Sequence, residues 1–126
     1  RAGLRPGRRE TFVKEGEVVL TPLPQADGRV KNRPCIALRQ MPGFSDWLVC
    51  GVSTQLHREV PGFDEPILAD AADFRTSGLK APSLIRLGFL AVLPEDRLLG
   101  AIGTLARERH RRLLERLSAY LVQQPV

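Results

Sequence analysis

The side chains of this 126-residue chain best equipped for chemistry are its arginines, two histidines, two cysteines and a few aromatic rings. His57 falls in an irregular stretch where solvent is its expected neighbour. His110 falls on the apolar stripe of a helical pattern and reads as a core or interface residue. Two cysteines in a chain long enough to build a core do not imply a disulfide scaffold. Trp47 and Phe44 could stack bases, although Trp47 sits in a strand pattern that reads as core. No Cys/His spacing typical of zinc, no phosphate-cradling glycine loop and no pair of carboxylates on a helical frame is present. Neither metal nor cofactor is therefore expected.

The net charge of +5 is unevenly distributed. Arg1, Arg5, Arg8, Arg9 and Lys14 face only Glu10 before residue 15, a net of +4. Arg107, Arg109, Arg111, Arg112 and Arg116 face Glu108 and Glu115 near the C-terminus, a net of +3, and the intervening part is acidic by −2. A basic chain suits a phosphate-bearing partner. Here the excess lies in a tail and on a helix face, where solvation is the simpler expectation. No apolar run reaches the roughly 18 residues of a membrane-spanning helix. No apolar stretch follows the N-terminal arginines as in a secretory signal, so the cytoplasm is the expected location and no membrane contact is implied.

The elements that must position any site are short. Residues 1–15 are polar, without sustained period, and read as a basic flexible arm; 16–126 read as one domain. Glu17–Leu20 is a β-branched strand pattern, 21–32 a proline- and glycine-containing loop, and Arg33–Arg39 a strand with Pro34 among its first residues. After a turn at Pro42-Gly43, Asp46–Ser53 is apolar almost throughout, as in a strand buried on both faces. Residues 54–66 are irregular. Weak or short strands follow at Ile67–Ala69, Ser83–Leu87, Phe89–Leu93 and Gly100–Gly103, with one helical turn possible at Pro94-Glu95-Asp96. From about residue 105, Ala106, His110, Leu113, Leu114, Leu117 and Leu121 recur at helical spacing, with arginines opposite and an end before Pro125. Five or six short strands and one terminal helix predict a mainly β fold, a small barrel or sandwich closed to remove exposed edges.

Five segments in order then carry a resemblance across about residues 16–121. They are Gly16-Glu17-Val18-Val19-Leu20, Asn32-Arg33-Pro34-Cys35-Ile36-Ala37-Leu38, Cys50-Gly51-Val52-Ser53-Thr54-Gln55, Gly78 to Leu87 (GLKAPSLIRL) and Gly100-Ala101-Ile102-Gly103. Each alone is weak; together they resemble the MazF/PemK family of toxin–antitoxin toxins. The resemblance implies an SH3-like, CcdB-type barrel of antiparallel strands with a C-terminal helix, usually a homodimer. It implies a sequence-specific, metal-independent endoribonuclease acting on single-stranded mRNA, and a cognate antitoxin whose disordered segment folds over the RNA groove.

On that resemblance, Arg33 matches the catalytic arginine, and its fork suits two phosphate oxygens. Ser53 matches the catalytic hydroxyl. Lys31, Asn32, Thr54, Gln55 and Arg86 are expected to bind RNA. Attack by the 2′-hydroxyl would leave a 2′,3′-cyclic phosphate and a 5′-hydroxyl end, and it needs charge stabilisation and two proton movements. A guanidinium is a poor proton shuttle. The places where relatives carry a Glu or His hold Gly28 and Asn32, so the base is open, with Asp27, His57 and Glu59 as candidates. Two rival readings share the barrel: a non-enzymatic CcdB-like toxin that binds DNA gyrase, and an inactive family member acting as a binding module. If Arg33 and Ser53 grip one phosphate, they pair directly on adjacent antiparallel strands. Cys35 then faces Gly51, and a Cys35–Cys50 disulfide is excluded.

Overall fold

The structure, a computed structural model, describes residues 12–24 and 26–125. Six antiparallel strands, β1 (Glu17–Pro24), β2 (Val30–Gln40), β3 (Asp46–Ser53), β4 (Glu65–Ile67), β5 (Ser83–Pro94) and β6 (Gly100–Thr104), form one sheet in the order β4-β5-β3-β2-β1-β6. A one-turn helix, α1 (Phe74–Ser77), lies between β4 and β5, and α2 (Arg107–Leu121) closes the chain. The sheet curls into a half-barrel, the mainly β fold with a C-terminal helix that the strand pattern predicts. Its ladder does not close: β4 and β6 are edges. α1 packs against β6 so closely that a Cβ on Gly78 would sit 2.1 Å from the Ile102 carbonyl oxygen, and one on Gly103 2.3 Å from that of Thr76.

Apolar residues on both faces explain the unbroken apolar strings in β1, β2 and β3. Val18, Ile36 and Cys50 point into one cluster with Ile85, Leu87, Leu113 and Leu117. Their neighbours Val19, Cys35 and Val49 point into a second with Val13, Trp47 and Leu98. β3 has the bounds read from the sequence, and no residue of it is fully exposed. The loop expected over 21–32 is shorter. β1 runs to Pro24 and β2 begins at Val30, pairing as far as Pro24–Val30 around a turn at Gly28. The Asp27 carboxylate supports that turn, accepting the Arg29 N–H at 2.9 Å. Pro34 thus lies inside a strand rather than among its first residues. It is tolerated because the β2–β3 ladder begins only at Cys35–Gly51. The two strands expected within 83–93 are one bent strand, β5. The basic arm read over 1–15 lies largely outside the described residues; within its described end, Val13 is buried.

The arginines of α2, expected to face solvent, instead divide. Arg109 donates from Nε to Asp73 (2.8 Å) and from Nη1 to Glu65 (2.8 Å). Arg112 hydrogen-bonds Glu65 through Nε and Nη2, and Arg116 approaches the same carboxylate at 3.6 Å and donates to the Asp64 carbonyl at 3.0 Å. Arg111, pairing with Glu115 at 3.2 Å, and Arg107 lie on the exposed side of the helix. Asp73 also accepts the Ala106 N–H at 3.0 Å, satisfying a donor at the helix start. Burial would push the Asp73 carboxyl up; the hydrogen bonds from Arg109 and Ala106 outweigh this and hold it below its usual range. Of the apolar stripe, Leu113 and Leu117 are buried, whereas Leu121 is 67% exposed. His110 is half-buried against Gly16, with Nε2 2.8 Å from the Leu38 carbonyl.

Candidate active site

Partners across an antiparallel ladder point to one face, as do residues two apart on a strand. Thr21 pairs with Arg33, Cys35 with Gly51, and Gly51 with Arg86. Continuing the β2–β3 register by two residues sets Arg33 opposite Ser53. Thr21, Arg33, Ser53 and Arg86 therefore share one face of the four adjacent strands β1, β2, β3 and β5. That face carries a groove of about 390 Å³ whose wall includes Arg33, Ser53, Thr54, Gln55 and Arg86. Five of the seven residues singled out from the sequence are thus gathered in one place. Lys31 shares the face of Arg33 but stands outside the wall, exposed. Asn32 pairs with Pro22, so alternation directs it to the opposite face.

Ser53 Oγ accepts the Gln55 N–H at 3.0 Å, the local backbone bond typical of a hydroxyl at a strand end. That bond uses a lone pair and leaves the hydroxyl proton to be donated. Thr21 Oγ1 donates to the Arg97 carbonyl at 3.0 Å, which fixes the far side of the groove. Cys35 and Cys50 also reach the wall, and both are free thiols. Burial pushes the Cys35 thiol up to about 12 and that of Cys50 higher still, so neither is a thiolate nucleophile at neutral pH. Cys35 faces Gly51, the register in which no disulfide joins it to Cys50.

The wall contains three arginines and, among the described residues, no Asp, Glu, His or Lys. Asp27, His57 and Glu59, the candidate bases, are not part of it. Among the described residues no group of three His, Cys, Asp or Glu side chains could hold a metal ion. Trp47 is a core residue whose indole N–H donates to Glu95 at 3.2 Å, and Phe44 is exposed in the 41–45 turn; neither lines the groove. Two groove residues escaped the sequence reading. Arg58 closes a 3-10 turn (Leu56–Arg58) just after β3, in a stretch without periodicity. Phe89 lies on β5 with its ring 5.7 Å from the Arg86 guanidinium carbon. An Arg-x-x-aromatic spacing on a strand gives no such signal by itself.

A strand-built groove of arginines and a hydroxyl, backed by a terminal helix, defines a class to which comparison adds a family. The profile of the PemK-like, MazF-like toxins of type II toxin–antitoxin systems matches residues 14–121, and the chain belongs to that family. Toxins of this family are endoribonucleases. A solved structure of an endoribonuclease in complex with its cognate antitoxin, from Mycobacterial species, superposes with a TM-score of 0.61 at 13% identity. The match covers 88% of this chain and 97% of that one, a likeness of fold. No curated protein matches the sequence.

Proposed function

We propose that this toxin cuts single-stranded mRNA at a short sequence motif, without a metal ion, by attack of the 2′-hydroxyl on the adjacent phosphate. The observation that carries the reading is the placement of Arg33, Ser53 and Arg86 on one face of one groove. As the phosphorane forms, its extra negative charge falls between the two guanidiniums, where preformed donors stabilise it more than they do the ground state. The Ser53 hydroxyl donates to the same phosphate. Thr54 and Gln55 continue the wall along the RNA, and Lys31 meets backbone phosphate farther out. With neither carboxylate nor imidazole on the described wall, the 2′-hydroxyl proton passes to water or to a phosphate oxygen, and the departing 5′-oxygen takes up a proton from water as its bond to phosphorus breaks. The same donor set, guanidinium and hydroxyl, offers little to a divalent cation, which takes carboxylate or imidazole ligands.

Family and surface support a reading of the partners as well. A cognate antitoxin covers the groove, and two copies of the toxin associate. An apolar groove of about 840 Å³ between the 60–63 segment and the end of α2, lined by Phe63, Leu90, Tyr120 and Leu121, is suited to such a contact. The setting is the cytoplasm, where mRNA is found. Purified protein incubated with a long RNA in EDTA should leave fragments with 5′-hydroxyl ends. Cleavage only on addition of magnesium, or 5′-phosphate ends, would refute the mechanism.

A further inference from the structure

β5 does not follow β3 residue for residue. Cys50 pairs with Leu90, yet the next residue, Gly51, pairs with Arg86. Leu87, Gly88 and Phe89 therefore have no partner on β3. A bulge normally bends a strand and re-aims a side chain, and this one is held in place. The Leu87 N–H, released from the ladder, donates to the buried Asp64 carboxylate at 3.1 Å, and the Leu87 side chain is buried in the core. What the bulge delivers to the groove is Phe89. Its ring occupies the space over Gly51, where an added Cβ would lie only 2.4 Å from Cδ2. The bare backbone at Gly51 thus leaves the room that the ring fills. Arg86 stands beside the same ring, 5.7 Å from its centroid. Despite these contacts Phe89 is 54% exposed, an aromatic surface turned to solvent inside a basic groove.

We propose that Phe89 is the stacking surface for a nucleobase next to the phosphate held by Arg33 and Ser53, and so a determinant of which sequence is cut. Gly51 is two residues from Ser53 along β3, about 7 Å, which puts the ring within one nucleotide of the reacting phosphate. Arg86 serves both parts, facing the phosphate and holding the ring by its cation–π contact. The proposal rests on the function proposed above, and one set of experiments separates the two.

The cut sites of the wild type, Phe89→Ala, Phe89→Trp and Gly51→Ala are mapped on a long single-stranded RNA by primer extension. Phe89→Ala should cut roughly ten- to a hundredfold more slowly, the range of one base–aromatic stack, and lose its preference at one position beside the cut. Phe89→Trp should keep both rate and preference. Gly51→Ala, which pushes the ring aside, should imitate Phe89→Ala and add nothing to it in the double variant. Equal rates and unchanged sites for Phe89→Ala would overturn the proposal while leaving the nuclease reading intact. Should the wild type leave the RNA whole, the nuclease reading fails first. Fluorescence anisotropy with labelled 2′-O-methyl 12-mers of A, C and U then decides the stacking. About tenfold weaker binding to at least one by Phe89→Ala supports it, and equal binding to all three overturns it.

Discussion

Six arginines occupy two settings in this chain, three on α2 and three around the groove, and the settings differ in their counterions. Arg109, Arg112 and Arg116 converge on Glu65 and Asp73, whose side chains are almost fully buried. Arg33, Arg58 and Arg86 line a groove whose described wall holds no carboxylate. The first set fastens the helix to the sheet; the second, on the function proposed above, meets the phosphates of RNA. Net charge cannot distinguish them. Three of the five arginines on the helix that looks most basic in the sequence find their carboxylates inside the fold.

The sharpest way to break this contrast is to exchange the consequences. Arg33→Ala should lower RNA cleavage by about a hundred- to a thousandfold, the cost of losing one preformed donor to a developing charge. Its melting temperature should stay within a degree or two of the wild type, since Arg33 is exposed. Full activity in that variant would remove the assignment. Glu65→Ala should do the reverse, costing about 3 kcal/mol in urea unfolding by removing the buried carboxylate on which Arg109, Arg112 and Arg116 converge. The fraction still folded should cut RNA at the wild-type rate. A smaller effect sharpens the picture through pH. Asp73 has a folded-state pKa below its ordinary 3.8, so its contribution is complete above that value and fades as the pH falls through the folded one. Melting temperatures measured from pH 7 to pH 2 should show Asp73→Asn well below the wild type at neutrality and approaching it under acid. A constant gap would mean that Asp73 acts by shape alone.

The site was legible where its parts are contiguous. Arg33-Pro34 opening an apolar run, and Ser53-Thr54-Gln55 ending another, carry their own strand assignment, and alternation then fixes their common face. β3 and the buried part of α2 were legible for the same reason: period and length leave little choice. The docking of α2 was not, because Arg109 finds Asp73 and Glu65 at separations of 36 and 44 residues, and no local pattern announces a partner that distant. Phe89 was missed because a sequence read as two strands around Gly88 hides a single strand with three unpaired residues. The extended hairpin of β1 and β2 was hidden by prolines that usually signal a loop, Pro22 and Pro24.

The glycine contact between α1 and β6 has a consequence for biogenesis. An open sheet edge is a template on which another chain can add. Gly78 and Gly103 let helix and strand backbones touch with no side chain between them. Translation runs from the N-terminus, so α1 leaves the ribosome before β6 does. The last strand can therefore meet the segment it packs against as soon as it emerges, which shortens the time its backbone groups stand exposed in a crowded polysome.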